Sequence, residues 1–316
     1  MSIRRNFRIK SLQFLYAQHL SKIDSNKVEK DMLNNIEELH YLYIFLLYLI
    51  LKIRENALKT IKNFHKKHHI NEMKLIHNFA YNSVIKILSN NKYLIKEYNS
   101  IKNSKKTLWK KKDEYIFLFL KEIQNKSIFQ IENFFYKPCN TFEEEKKFII
   151  QYYKNFIISN KKLIEIIDDL YINGQENLYI AHNMVYKTLH FIKHSTSKNF
   201  RLYNIYKNDE NIKFITDLYR NTIFHKKEFN NLINDISNNW DINRIAILDL
   251  IILQMAICEF LYFPNIPPKV TMNEYIEITK IFCMEKSKIF INGILDQIFK
   301  LLHKKNKIFK IGKGLM

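Results

Sequence analysis

"WDINRIAILDLIILQMAICEFLYFPNIPPKVTMNEYIEITKIFCMEKSKIFINGILDQI", residues 240–298, holds three apolar stretches at helical spacing, separated by a proline-bearing link and a short polar turn. Asp241, after Trp240, is placed to cap the first stretch, and that helix has to end before Pro264 because the residue ahead of a proline avoids the α region. "FPNIPPK" contains three of the four prolines and reads as an extended connector. Thr271 and Glu274 in "TMNE" have the form of a capping box, with Val270 and Tyr275 placed for a hydrophobic staple, opening a helix to about Phe282. Ser287 is placed to cap the last helix, which reaches about His303. Within it Ile289, Phe290, Ile294, Leu295 and Ile298 recur around Gly293. A glycine inside a helix costs about 1 kcal/mol relative to alanine. The chain has only four, so this one calls for an explanation.

With four glycines and four prolines in 316 residues there are few turn signals, and 47% hydrophobic residues are ample for a core, so the expected class is all-α. The net charge of +20 points first to a polyanionic partner. Heavy use of Lys, Asn and Ile, as an AT-rich genome produces, places part of that charge on solvated faces. Cys139, Cys258 and Cys283 are odd in number and have no CxxC spacing, which fits a reducing cytoplasm and argues against a disulfide framework or zinc knuckle. The longest unbroken apolar run, Tyr41–Leu51, is too short for a bilayer that needs about 20 residues, and Asp249, Gln254 and Glu259 interrupt Ile245–Phe263, so no membrane partner is expected. The first 23 residues are basic and free of acids, as a transit peptide or a binding segment would be.

No nucleotide-binding glycine loop is present, which removes most kinases, NTPases and dehydrogenases. "HKKHH" places His65, His68 and His69 near one another, but without a nearby carboxylate or cysteine it reads as a solvated segment. No catalytic residue, metal or cofactor is expected. Asp249 and Glu259 sit on an otherwise apolar helix: as structural residues they need a basic partner, for which Arg244 is the nearest candidate to Asp249, and as functional residues they would meet another molecule.

An opening helix is expected from about Ile3 to Leu20, with Leu12, Leu15, Tyr16 and His19 on one face, and a long helix from Met32 to about His65. Shorter pieces between Ile76 and Leu120 are broken at "SNNK" and "NSIKNSKK". Glu145–Leu170 resembles Asn211–Ile236 at a displacement of 66 residues, with Phe148 and Phe214, Tyr153 and Tyr219, and Ile157 and Ile223 in register, and each copy is followed by another apolar helix. A duplicated helical hairpin at 143–195 is the expected cause. The lysine-rich tail after residue 304 is expected to fray.

"RRNFRIKSLQFLY" is the candidate site. Arg4 and Arg8 are one turn apart with Arg5 and Lys10 beside them, while Gln13 and Tyr16 lie further along. Arginine grips phosphate in two-pronged fashion, glutamine reads a base edge and tyrosine stacks on an unpaired base. The same residues also suit a basic helix end with Tyr16 in the core.

Together, this opening stretch and residues 240–298 resemble the NusB family of transcription antitermination factors, through the Glu259 helix, the proline link, "V-x-x-NE-x-x-E" and "F-I-NG-I-LD". Residues 211–236 also resemble the family helices just before them, and the long chain is similar to Bacteroidetes-type NusB forms with a helical insertion. The resemblance implies a NusB-like helical bundle from 1–24 and 205–304, a helical insertion at 25–204 and a basic tail at 305–316. It implies a non-catalytic, cytoplasmic factor that binds boxA-type single-stranded RNA of ribosomal RNA operon leaders. NusE, the small-subunit ribosomal protein, would be its partner in the RNA polymerase antitermination complex. Arg5, Arg8, Gln13 and Tyr16 would lie along the RNA with Phe290, Lys286 and Lys288, and Glu259 with its helix would meet the protein partner. Gln254 stands where the family often has arginine. Gly293 would let a neighbouring helix approach closely. The alternative is a helical protein–protein scaffold of the transcription machinery without specific RNA readout.

Overall fold

The computed structural model describes residues 3–62, 70–101, 111, 113–118, 135, 137–171, 173–203, 209–236 and 244–315. Its helices are α1 (Ile3–Ser21), α2 (Ser25–Lys62), α3 (Ile70–Ala80), α4 (Ser83–Ser89), α5 (Lys92–Ile101), α6 (Phe142–Tyr152, continued as a π-turn Tyr153–Ile158), α7 (Lys161–Leu170), α8 (Gly174–Phe191), α9 (Asp209–Phe224), α10 (Lys226–Ile236), α11 (Ile247–Tyr262), α12 (Pro268–Phe282) and α13 (Glu285–Lys304). No strand occurs among the described residues. Two compact units form: residues 1–36 with 205–316, and residues 37–204. "HKKHH" and Asp241 lie outside the described residues.

In the first unit, every residue from Ile251 to Phe260 of α11 is buried, acids and amides included. A helix that is apolar all round has to be surrounded. Here α1, α9, α10, α12 and α13 pack against it. Helix α1 is itself buried on all sides from Phe7 to Leu12, a wider burial than the expected single face, whereas His19 is exposed. The second unit has the same logic in Leu42–Leu47, the centre of the long apolar run of α2. No helix among the described residues is long and apolar enough to cross a membrane.

The 66-residue repeat has a physical counterpart. Phe148, Ile149, Tyr152, Tyr153, Leu163, Ile166 and Ile167 are buried in one hairpin, and Phe214, Ile215, Leu218, Tyr219, Phe229, Leu232 and Ile233 are buried at the matching places in the other. In a chain poor in glycine and proline, asparagines make the breaks: Asn82, Asn91 and Asn160 accept from the N–H of Ile85, Leu94 and Leu163 at 3.1, 2.8 and 2.8 Å.

Several local expectations are corrected. Helix α12 starts one turn early, at Pro268 behind Pro267, because proline suits the first helical position. Thr271 is therefore inside the helix, not a cap, and Val270 is 43% exposed while Tyr275 is buried, so no staple forms. Helix α13 starts at Glu285, and Ser287 instead donates to Asp249 at 2.7 Å, the role expected of Arg244, which is exposed. The tail is docked: the Ile311 N–H donates to the Pro264 carbonyl at 3.1 Å, and the Lys310 ammonium donates to the Glu259 and Phe263 carbonyls at 3.2 and 2.9 Å, meeting the carbonyl end of α11. A Cβ on Gly314 would collide with the Pro264 carbonyl oxygen.

Gly293 is the clearest reversal. It is exposed, and an added Cβ would meet nothing within 4 Å among the described residues, so none of the described helices packs there. Close approach is instead the property of Gly174, whose Cβ would lie 2.6 Å from the Ile167 carbonyl oxygen. Gly293→Ala is therefore expected to stabilise the chain by about 0.5–1 kcal/mol. Gly174→Ala is expected to destabilise it by about 1–3 kcal/mol, both read from urea midpoints.

In the second unit the buried His182 Nδ1 lies 2.7 Å from the Tyr153 hydroxyl, and its Nε2 has no hydrogen-bond partner among the described residues. Burial pushes its pKa down to about 4 from 6.5. Between those values the unfolded chain binds a proton that the folded chain does not, so stability is lost as pH falls through this window, by up to about 3 kcal/mol. His182→Gln should flatten that part of a stability–pH curve measured by urea unfolding.

Candidate nucleic-acid interface

The first unit brings the basic start of α1 against the acids of α12. Arg8 is 2% exposed and Glu259 0%. They pair two-pronged, Nε to Oε2 at 2.8 Å and Nη2 to Oε1 at 2.7 Å. The Thr271 hydroxyl donates to Glu259 Oε1 at 2.7 Å and the Tyr275 hydroxyl to Oε2 at 3.4 Å. The Arg8 guanidinium also lies 5.3 Å from the Phe214 ring centre and 5.8 Å from that of Tyr275. Burial works against the charge on Arg8, but the carboxylate of Glu259 outweighs it and its pKa is raised. Tyr275 is driven well above its ordinary pKa, first by burial and then by the same carboxylate. Arg8 and Glu259 are thus withdrawn from the surface and satisfied by one another, whereas Arg8 was expected to lie along RNA and Glu259 to meet a protein partner.

Arg5 forms the second fork, with Glu274 at 2.6 and 2.9 Å, and reaches Glu277 at 4.0 Å. The hydrogen bond to Glu274 raises its pKa. Glu277 is held below the usual carboxylate range, first by its hydrogen bond to Lys280, with Arg5 and Lys288 adding attraction. Arg5 of α1 and Lys288 of α13 thus both act on the Glu277 carboxylate of α12. Lys286 and Lys288 are exposed, and Phe290 is half-buried one turn on. Arg4 is exposed, with its guanidinium 5.6 Å from the Phe214 ring centre. Gln13 and Tyr16 are half-buried, more than two turns further along α1. Lys10 is buried.

The exposed basic set is therefore Arg4, Lys286 and Lys288, while Arg5 and Arg8 fasten the helices beneath. Sequence reasoning missed Glu274, Thr271, Tyr275 and Phe214. A signal for them existed: Glu274 and Glu277 stand one turn apart on α12, the same spacing as Arg5 and Arg8 on α1. Gln254, where the family often has arginine, is buried and donates to Asn230 at 2.7 Å.

Alongside the exposed cations lies an apolar surface at the α12–α13 turn. Ile281, Met284 and Ile289 are 56, 82 and 77% exposed. Asn292 and Gly293 continue the exposed stripe on α13.

Residues 175–300 match the family model described as the NusB family. The chain is 39% identical over 103 residues to a transcription antitermination protein NusB of Salinibacter ruber, covering 33% of this chain and 64% of that protein. It is 38% identical over 103 residues to the protein of that name from Chloroherpeton thalassium, covering 33% and 49%. The one from Syntrophus aciditrophicus is 46% identical over 82 residues, covering 26% and 51%. The chain thus spans about half to two thirds of these relatives, whose names describe an antitermination role. The matched stretch includes the Glu259 helix, the proline link and the α12–α13 turn, so it is the C-terminal part of this chain that is similar to the NusB family.

Proposed function

We propose that this chain is a transcription antitermination factor, without catalysis, that holds boxA-type single-stranded RNA together with NusE in the RNA polymerase antitermination complex. The carrying observation is that Arg4, at the start of the helix that the Arg8–Glu259 and Arg5–Glu274 forks fasten to α11 and α12, and Lys286 and Lys288 of α13 are all exposed. Exposed cations on a rigid base bind phosphates, and half-exposed Phe290 and Tyr16 offer ring faces to unpaired bases. In this reading Arg8 positions the surface and does not touch RNA, and Gln13 borders the strand.

The protein partner is assigned to Ile281, Met284, Ile289 and the Asn292–Gly293 stripe, because Glu259 is buried. An exposed apolar patch suits a protein surface, and a bare glycine there lets a partner backbone come close. This patch is also what favours the second reading, a scaffold that joins proteins without reading RNA.

Titrating the purified chain with a fluorescent boxA-type RNA and a scrambled control, with and without NusE, separates the two. The antitermination reading expects boxA preference that strengthens with NusE. Arg4→Ala and Lys288→Ala should each lower the log–log salt slope by about 0.7 and leave thermal unfolding unchanged. Arg8→Ala should behave differently, costing about 3–5 kcal/mol of stability because Glu259 is left charged and unpaired. Equal binding of both RNAs, or slopes unmoved by the Arg4 and Lys288 changes, would leave only the scaffold.

A further inference from the structure

Between Asn177 and Asn204 there is no aspartate or glutamate, while Lys187, His190, Lys193, His194, Lys198 and Arg201 all fall within it. Those six are exposed, as are three aromatic residues of α8 in the second unit: Tyr179 at 65%, Tyr186 at 37% and Phe191 at 61%. Tyr179, Tyr186 and His190 are spaced seven and four apart, so they share one face of the helix. The Tyr186 and His190 ring centres are 4.4 Å apart.

At the C-terminal end of α8, on a different side of the helix, the chain builds a cavity of about 310 Å³ lined by Thr188, Phe191, Phe200, Arg201, Leu202 and Tyr203. That size lies at the lower end for sites that take a small ligand. Its wall is fixed from behind. Buried Tyr43 shares a hydrogen bond of 2.8 Å with Thr188 and meets Tyr203 edge-on, ring centres 6.3 Å apart. Its loop is also fixed: the Asn91 side-chain amide donates to the Phe200 carbonyl at 2.8 Å and the Lys198 carbonyl at 3.4 Å, and the Lys92 N–H donates to Lys198 at 3.0 Å. The Phe191 and Phe200 ring centres are 6.1 Å apart.

An aromatic cavity beside exposed cations is the combination that holds unpaired nucleic acid: rings take the base, which has a π-face whatever its identity, and cations take the phosphates. The position within the helix fits the same division. The carbonyl end of α8 repels phosphate, so a base suits the space beside Phe191, and the anion belongs further out at Lys198 and Arg201. His194 takes no part in this, because its ring packs 5.7 Å from Phe142, next to the Glu143–Glu145 turn.

We propose that the second unit has its own single-stranded RNA site, with a base stacked on Phe191 at the cavity and phosphates on Lys198 and Arg201. This site has no boxA preference, since stacking tolerates any base, and it does not depend on the surface assigned to boxA-type RNA.

The test uses the full chain and an oligouridine probe containing 4-thiouridine, without boxA sequence. Photo-crosslinks are expected in the peptide spanning residues 186–203. Phe191→Ala should weaken oligouridine binding about tenfold, and the Lys198→Ala, Arg201→Ala double variant should lower the log–log salt slope by about 1.4. Phe191, Lys198 and Arg201 are exposed, so these variants keep the fold, which circular dichroism would verify. Crosslinks should persist in Arg4→Ala and Lys288→Ala. Absence of crosslinks from 186–203, or oligouridine binding indifferent to both variants, would overturn the site. Loss of boxA preference in the chain, with crosslinks in 186–203 retained, would count against the antitermination reading and in favour of this one.

Discussion

An arginine that cannot give up its charge is shut into the core of the first unit opposite the one group that makes this tolerable. Arg8 and Glu259 are far apart in sequence and fully enclosed, and the fork between them fixes α1 against α11 in orientation as well as in distance. Thr271 and Tyr275 spend their hydroxyls on the same carboxylate, which adds α12 to the lock. Apolar packing alone would let α1 rotate among similar arrangements. The buried pair admits one, and with α1 so fixed Arg4 comes to the surface beside Phe214.

The use of arginine follows from that geometry. Of the 51 Lys and Arg residues, seven are arginine. Arg5, Arg8 and Arg220 each fork a carboxylate distant in sequence, Glu274, Glu259 and Glu29, and Arg54 donates to the Ala80 carbonyl. A planar fork loses less freedom per hydrogen bond than a flexible ammonium, so it is the better fastener between helices. Lysine is the solvated charge, with Lys310 as an exception: burial pushes its pKa down to about 8, and its ammonium closes the carbonyl end of α11.

What could be read from sequence was whatever depended on local pattern. The helical class, the break at "SNNK", the proline link and the 66-residue repeat all rest on spacing within one segment, and the helices lie close to those spacings, whereas "NSIKNSKK" begins inside α5 and continues outside the described residues. What could not be read depended on a second segment. Thr271 and Ser287 have the form of helix caps, yet each hydroxyl goes to a buried acid on α11, Glu259 and Asp249. Tail lysines look frayed in isolation, but Lys310 finds unsatisfied carbonyls that only a folded α11 displays. Gly293 shows the limit most clearly. The motif it shares with the NusB family pointed to a constraint, and packing among the described residues places none on it.

The remaining arginines, Arg4, Arg201 and Arg244, are exposed, and two of them belong to the two surfaces argued to meet RNA. Neither surface is large: each offers a few cations and one or two rings, which is modest against the salt screening that weakens phosphate contacts in a cell. Two modest contacts carried by one chain behave differently from one. Once the first holds a strand, the second meets it at an effective concentration that linkage sets, in the millimolar range for short connections, and overall affinity rises without any new contact. On the proposed reading, the exposed cations and ring of the second unit strengthen the hold on a transcript, and sequence preference is left to the surface of the first unit.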